Sequence, residues 1–168
     1  MGKIITLDLS VVLPGEDGFC PGQISSILKA VNEGNQLLPV PCRETRPSRG
    51  KYHHLDGRHR LIYRKMQGLE TAEFYLAYNR EDLMYNRDFP GFSTQELLEN
   101  NNHIEKRWDT VVGVHQRIGV ENFNEYFALL VSKFPYMRDI ASFEKYVQAN
   151  PSIVNRWCAS LKHMPYTG

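Results

Sequence analysis

The residues whose types and spacing could do chemistry lie together in Leu55-Asp56-Gly57-Arg58-His59-Arg60, between an extended run at 51–55 and a helical one at 61–67. A glycine hinge followed by Arg-His-Arg at the opening of a helix gathers cationic side chains and amide donors at one point. The first turn of a helix leaves about four N–H groups without intrahelical acceptors and carries partial positive charge, so a phosphate fits there. Arg58 and Arg60 then either clamp phosphoryl oxygens or pair with Asp56, Glu70 or Glu73 at the surface. His59 is a phosphate ligand, a proton donor to a leaving group, or a histidine packed under the helix. Asp56 is a ligand for Mg²⁺, a base toward an acceptor hydroxyl, or the cap of the helix.

A second candidate lies just upstream. Arg43, Arg46, Arg49 and Lys51 could follow a nucleic-acid backbone by displacing its counterions, although no aromatic is interleaved before Tyr52 to stack on a base. Eight Lys/Arg stand between Arg43 and Lys65 against only Glu44 and Asp56, a local excess of +6 in a chain of net charge +1. From Ser93 onward acidic and basic residues cancel. His53 and His54, adjacent on a strand, point to opposite faces and do not share a metal.

At 168 residues the chain can bury a sizeable core, and 42% hydrophobic with 23% charged residues is ordinary for a water-soluble protein. Three scattered cysteines (Cys20, Cys42, Cys158) argue against a disulfide framework and for a reducing compartment. No leader pattern opens the sequence, and no apolar run approaches the roughly 18 residues of a membrane span. The expected location is cytoplasmic, without membrane contact.

The positioning elements follow from periodicity. Residues 3–12 alternate Ile5, Leu7, Leu9 and Val11 as a strand. Residues 21–33 carry Ile24, Ile27, Leu28 and Val31 at helical spacing, with Gly34 as terminator. Pro39 and Pro41 assign 37–42 to an edge or irregular strand. A polar hairpin loop at 43–50 leads into the 51–55 strand, then a helix at 58–67 and a strand at 71–78. After a polar connection at 80–92, Ser93-Thr94-Gln95-Glu96 has the form of a capping box. Helical spacing then recurs through Ile104, Trp108, Val111, Val112 and His115, and through Phe123, Tyr126, Phe127, Leu130, Val131 and Phe134. Further helices are expected at 142–149 and 151–161. The order is β-α-β-β-α-β, then helices.

This series, with Leu13-Pro14-Gly15-Glu16 after the first strand, Leu38-Pro39-Val40 in the second, Asp56-Gly57-Arg58-His59-Arg60 opening the second helix and Gly68-Leu69-Glu70 closing it, resembles the ParB/sulfiredoxin-like superfamily over residues 3–80. The resemblance implies that Gly57, Arg58, His59 and Arg60 hold the phosphates of a nucleotide (ATP, ADP or CTP), with Arg60 the direct ligand. It also implies Glu16 as a carboxylate able to activate a nucleophile, beside Asp56 and His59 as catalytic candidates. Arg58 stands where sulfiredoxins carry a reactive cysteine and partition proteins a glutamate, which disfavours sulfinic acid reduction and weakens a partition-clamp role. The Asp-Gly-x-His-Arg form looks closest to the free-serine-kinase branch and to ParB-like nucleases.

The expectations are therefore an α+β fold, with a ParB/sulfiredoxin-like domain at 1–80, a connection at 81–92 and a helical extension at 93–168 that packs on the domain or at a homodimer face. The functional expectation is nucleotide-phosphate binding at Gly57 to Arg60, with phosphoryl hydrolysis or transfer aided by a divalent cation. The alternatives are a nucleotide-switched module binding DNA or protein, and a nuclease.

Overall fold

The computed structural model describes residues 2–15, 18–45, 50–79, 82, 108 and 119–158. Four strands, β1 (Lys3–Asp8), β2 (Val40–Glu44), β3 (Tyr52–His54) and β4 (Thr71–Leu76), form one mixed sheet in the order β1-β4-β2-β3. Two helices, α1 (Pro21–Asn32) and α2 (Arg58–Met66), interleave with them; α3 (Phe123–Lys133) and α4 (Ile140–Ala149) follow. The fold is α+β. β4 runs antiparallel to β1, from Lys3 opposite Leu76 to Asp8 opposite Thr71, and parallel to β2, with Val40 opposite Phe74. β2 and β3 form the antiparallel hairpin.

Three expectations need correction. The first strand stops at Asp8, because the Asp8 carboxylate accepts from the Ser10 amide at 2.8 Å and turns 9–11 into a short 3₁₀ helix. Of the two readings of the second strand, edge or irregular, the edge does not hold: β2 lies between β4 and β3. Its Pro41 is tolerated because the Pro41 carbonyl faces β3 and accepts from Leu55 N–H at 2.8 Å; the missing donor would face the same way, so the ladder to β4 loses no bond. Where a helix was expected at 151–161, the described part, 151–158, holds a 3₁₀ turn, Pro151–Asn155. Cys158 then pairs with Phe19 through two backbone bonds of 2.9 and 2.8 Å, and this long-range pairing overrides the local pattern. The capping box at 93–96 and most of the helix expected around 104–115 fall outside the described residues.

A single core joins the two halves. Ile24, Leu61, Ile62 and Phe74 share it with Phe123, Tyr126, Leu130, Met137 and Phe143. Phe123 N–H donates to Val12 O at 2.7 Å and the Tyr126 hydroxyl to Gly18 O at 3.2 Å, while the Phe19 ring meets Phe134 edge-on at 5.1 Å. Of the aromatic stripe, Phe123 and Tyr126 are thus buried inside their own chain, with Phe127 and Phe134 half-buried at the edge of the same core. Asn122 and Asp139 cap α3 and α4 by accepting from Glu125 N at 2.9 Å and Ser142 N at 2.7 Å. Among the described residues no helix is long and apolar enough to cross a membrane.

Candidate phosphate site

The chain leaves β3 through Leu55, fully buried, and turns at Gly57, whose φ of +99° only glycine adopts readily. The helix starts there, with Leu61 N–H reaching Gly57 O at 3.2 Å. Leu61, Ile62 and Met66 enter the core and fix the rotation of α2. Gly57 is the cap residue and has no side chain with which to bond the first turn, so Asp56 does not play the capping part.

Arg60 lies across this turn. Its Nη1 donates to the carbonyls of Leu38 at 2.7 Å and Pro39 at 3.3 Å. Those carbonyls orient the guanidinium so that Nη2, Nε and Cζ lie 2.6–2.9 Å from where a Cβ on Gly57 would stand, so a side chain there would have to displace the guanidinium. Asp56 Oδ2 is 4.0 Å from Nη2, a loose ion pair with both groups partly exposed. Burial lowers the Arg60 pKa and the Asp56 carboxylate opposes that shift. One edge of the fork is therefore held by protein oxygens, and the remainder lies against the helix start.

His59 is placed differently from a proton donor. It is buried, and its Nε2 accepts from the Cys20 amide at 2.9 Å, linking the start of α2 to the start of α1. Desolvation, reinforced by the Arg58 charge, pushes its pKa down to about 3, so near neutrality it is an uncharged acceptor with its proton on Nδ1. Because the unfolded histidine titrates near 6.5, the unfolded chain binds more protons between those values. Acidification therefore costs stability as pH falls below about 6.5. We expect a loss of about 2 kcal/mol between pH 7 and pH 5 from this residue. Urea unfolding of the wild type and His59→Gln across that range checks it; an equal slope in both would place the titration elsewhere.

Arg58 is buried at the first helical position, with its guanidinium 5.7 Å from the centre of the Trp157 ring. The early loop packs on β3. Leu13 N–H donates to Tyr52 O at 2.8 Å, and Gly15 packs against the His54 ring with no room for a side chain. Glu16, next along, is outside the described residues.

The contiguous positive charge of the sequence is divided in space. Arg64 donates to Thr71 O and Lys65 pairs with Glu70 at 3.3 Å, both at the far end of α2. Lys51 is exposed at the loop end of β3, opposite the end that leads into Gly57. Arg43 stacks on Trp108, 4.1 Å from the ring centre, and donates to its carbonyl at 2.6 Å. Arg46 and Arg49 are outside the described residues. Among the described residues of that group, Arg58 and Arg60 stand at the helix start.

Sequence reasoning missed the Leu38 and Pro39 carbonyls, the Cys20 amide and Trp157. Pro39 and Pro41 were the one available signal for the first, since a proline-punctuated segment leaves carbonyls that the sheet does not use. No family model matches this sequence, and no curated protein matches it. Among solved structures it is similar to the C-terminally truncated chromosome-partitioning protein ParB from Caulobacter crescentus complexed with CTP-gamma-S, at 13% identity over 96% of this chain and 98% of that chain, with a TM-score of 0.37.

Proposed function

We propose that this protein binds a nucleotide through its phosphates at the start of α2. The observation that carries the reading is the Arg60 guanidinium, pinned by the Leu38 and Pro39 carbonyls across a left-handed glycine, so that a preoriented fork and the first-turn amides of one helix converge. The sequence resemblance to ParB/sulfiredoxin-like proteins supports the same residues. His59 serves as a strut that ties α1 to α2. Asp56, partly exposed beside the turn, is the carboxylate that would hold a Mg²⁺ ion against bound phosphates. Such a site needs only one or two protein carboxylates, with water and phosphate oxygens completing the shell. A bound cation would stabilise charge on a phosphoryl group in transfer or hydrolysis.

The deciding measurement is thermal unfolding against nucleoside di- and triphosphates, with and without Mg²⁺. A ligand at a hundred times its Kd adds about 2.7 kcal/mol. No shift with any of them at millimolar concentration would defeat the proposal. Where binding is found, phosphate release tests the chemical step: release that survives Glu16→Gln and Asp56→Asn together would put the chemistry on other groups. The nucleic-acid reading has less support, because Arg43 is engaged with Trp108.

A further inference from the structure

Trp157 is half exposed, at 51%, which is unusual for an indole, yet it is not loosely placed. The next residue, Cys158, is held to Phe19 by the paired backbone bonds described above, and Phe19 precedes the Cys20 whose amide binds His59. Two short links thus fix the tryptophan relative to the first turn of α2. Its ring contacts the Arg58 guanidinium, which belongs to that same turn. The result is a broad, flat apolar surface left open to solvent beside a cationic helix start.

We propose that Trp157 is a stacking platform for the base of the nucleotide whose phosphates lie on α2, an inference that rests on the phosphate reading above. An aromatic heterocycle can lie on an exposed indole whichever base it carries, because every base offers a π face. Arg58 serves both parts of such a ligand, as a cation near the phosphates and as the group that steadies the indole. The platform comes from a part of the chain beyond residues 3–80, so the helical portion would complete the site that the sheet domain begins. The ligand class is an aromatic nucleotide, as opposed to a simple phosphate or polyphosphate.

The test compares a nucleoside triphosphate with inorganic tripolyphosphate by titration calorimetry on wild type, Trp157→Phe and Trp157→Ala. Tryptophan emission is followed in wild type and in Trp108→Phe. In the wild type the nucleotide should bind more tightly than tripolyphosphate and quench emission, with the quench retained in Trp108→Phe. Trp157→Ala should weaken the nucleotide roughly 5- to 150-fold and leave tripolyphosphate unchanged. Trp157→Phe should fall between. Equal affinity of the two ligands in the wild type, or unaltered nucleotide binding by Trp157→Ala, overturns the stacking role and leaves the phosphate site standing. Failure of both ligands to bind the wild type overturns the phosphate reading, and this inference with it.

Discussion

Arg60→Ala should abolish the stabilisation that nucleotides give the protein, and should itself lower the melting temperature. Two effects are combined. The substitution removes the fork that faces the helix start, and it leaves the Leu38 and Pro39 carbonyls without a donor in a partly buried setting. Hydrogen bonds to a charged group contribute about 1.5–3 kcal/mol net, so a cost near 2 kcal/mol is expected. For a chain of this length that corresponds to roughly 4–8 °C. Arg60→Lys separates the parts. Lysine can still reach one carbonyl and keeps the charge, but it has no planar fork, so stability should recover more than binding. A nucleotide-induced shift of wild-type size in Arg60→Ala would remove this residue from the site.

Phe123→Ala should produce the largest loss of stability. The ring is fully buried, 5.2 Å from Tyr126 and 5.9 Å from His54, at the seam between α3 and the sheet domain. Truncating a buried phenylalanine costs about 3–5 kcal/mol through lost burial and the cavity left behind. Because one cluster spans both halves, far-ultraviolet circular dichroism and tyrosine fluorescence should report a single coincident transition moved to lower denaturant. A transition of residues 119–158 that separates from that of the sheet would contradict a shared core.

Much of this architecture can be read along the chain, because it is set by local periodicity. The amphipathic spacing in α1 and α3, the glycine after α1 and the alternation in β4 mark their elements with small errors at the ends. What local pattern could not supply is contact between distant residues. Pro39 and Pro41 argued for an edge or irregular strand, yet β2 is internal, since the side of the strand on which a proline's missing donor falls depends on its neighbours. The 151–161 segment has helical composition but answers to Phe19, well over a hundred residues away.

The candidate site divides along the same line. Gly57, Arg58, His59 and Arg60 are recognisable as a cationic helix start from their order. The direction each side chain takes is not. Arg60 is aimed by carbonyls some twenty residues earlier, and His59 is neutralised by burial beneath a different helix. A run of positive charge in sequence likewise says little about a positive patch. A three-residue strand and a nine-residue helix carry its described members to the separate ends of those elements.

The position of β4 also orders assembly. It is the partner of both β1 and β2, so apart from the β2–β3 hairpin no strand of the sheet can pair until the chain has been made through residue 76. The Leu38 and Pro39 carbonyls that hold Arg60 lie at the entry to β2 and take their final place only when β4 docks alongside. A partly made or partly folded chain therefore presents no formed cradle. Ligand has little to grip before the sheet closes, and its binding energy goes almost wholly to the finished fold.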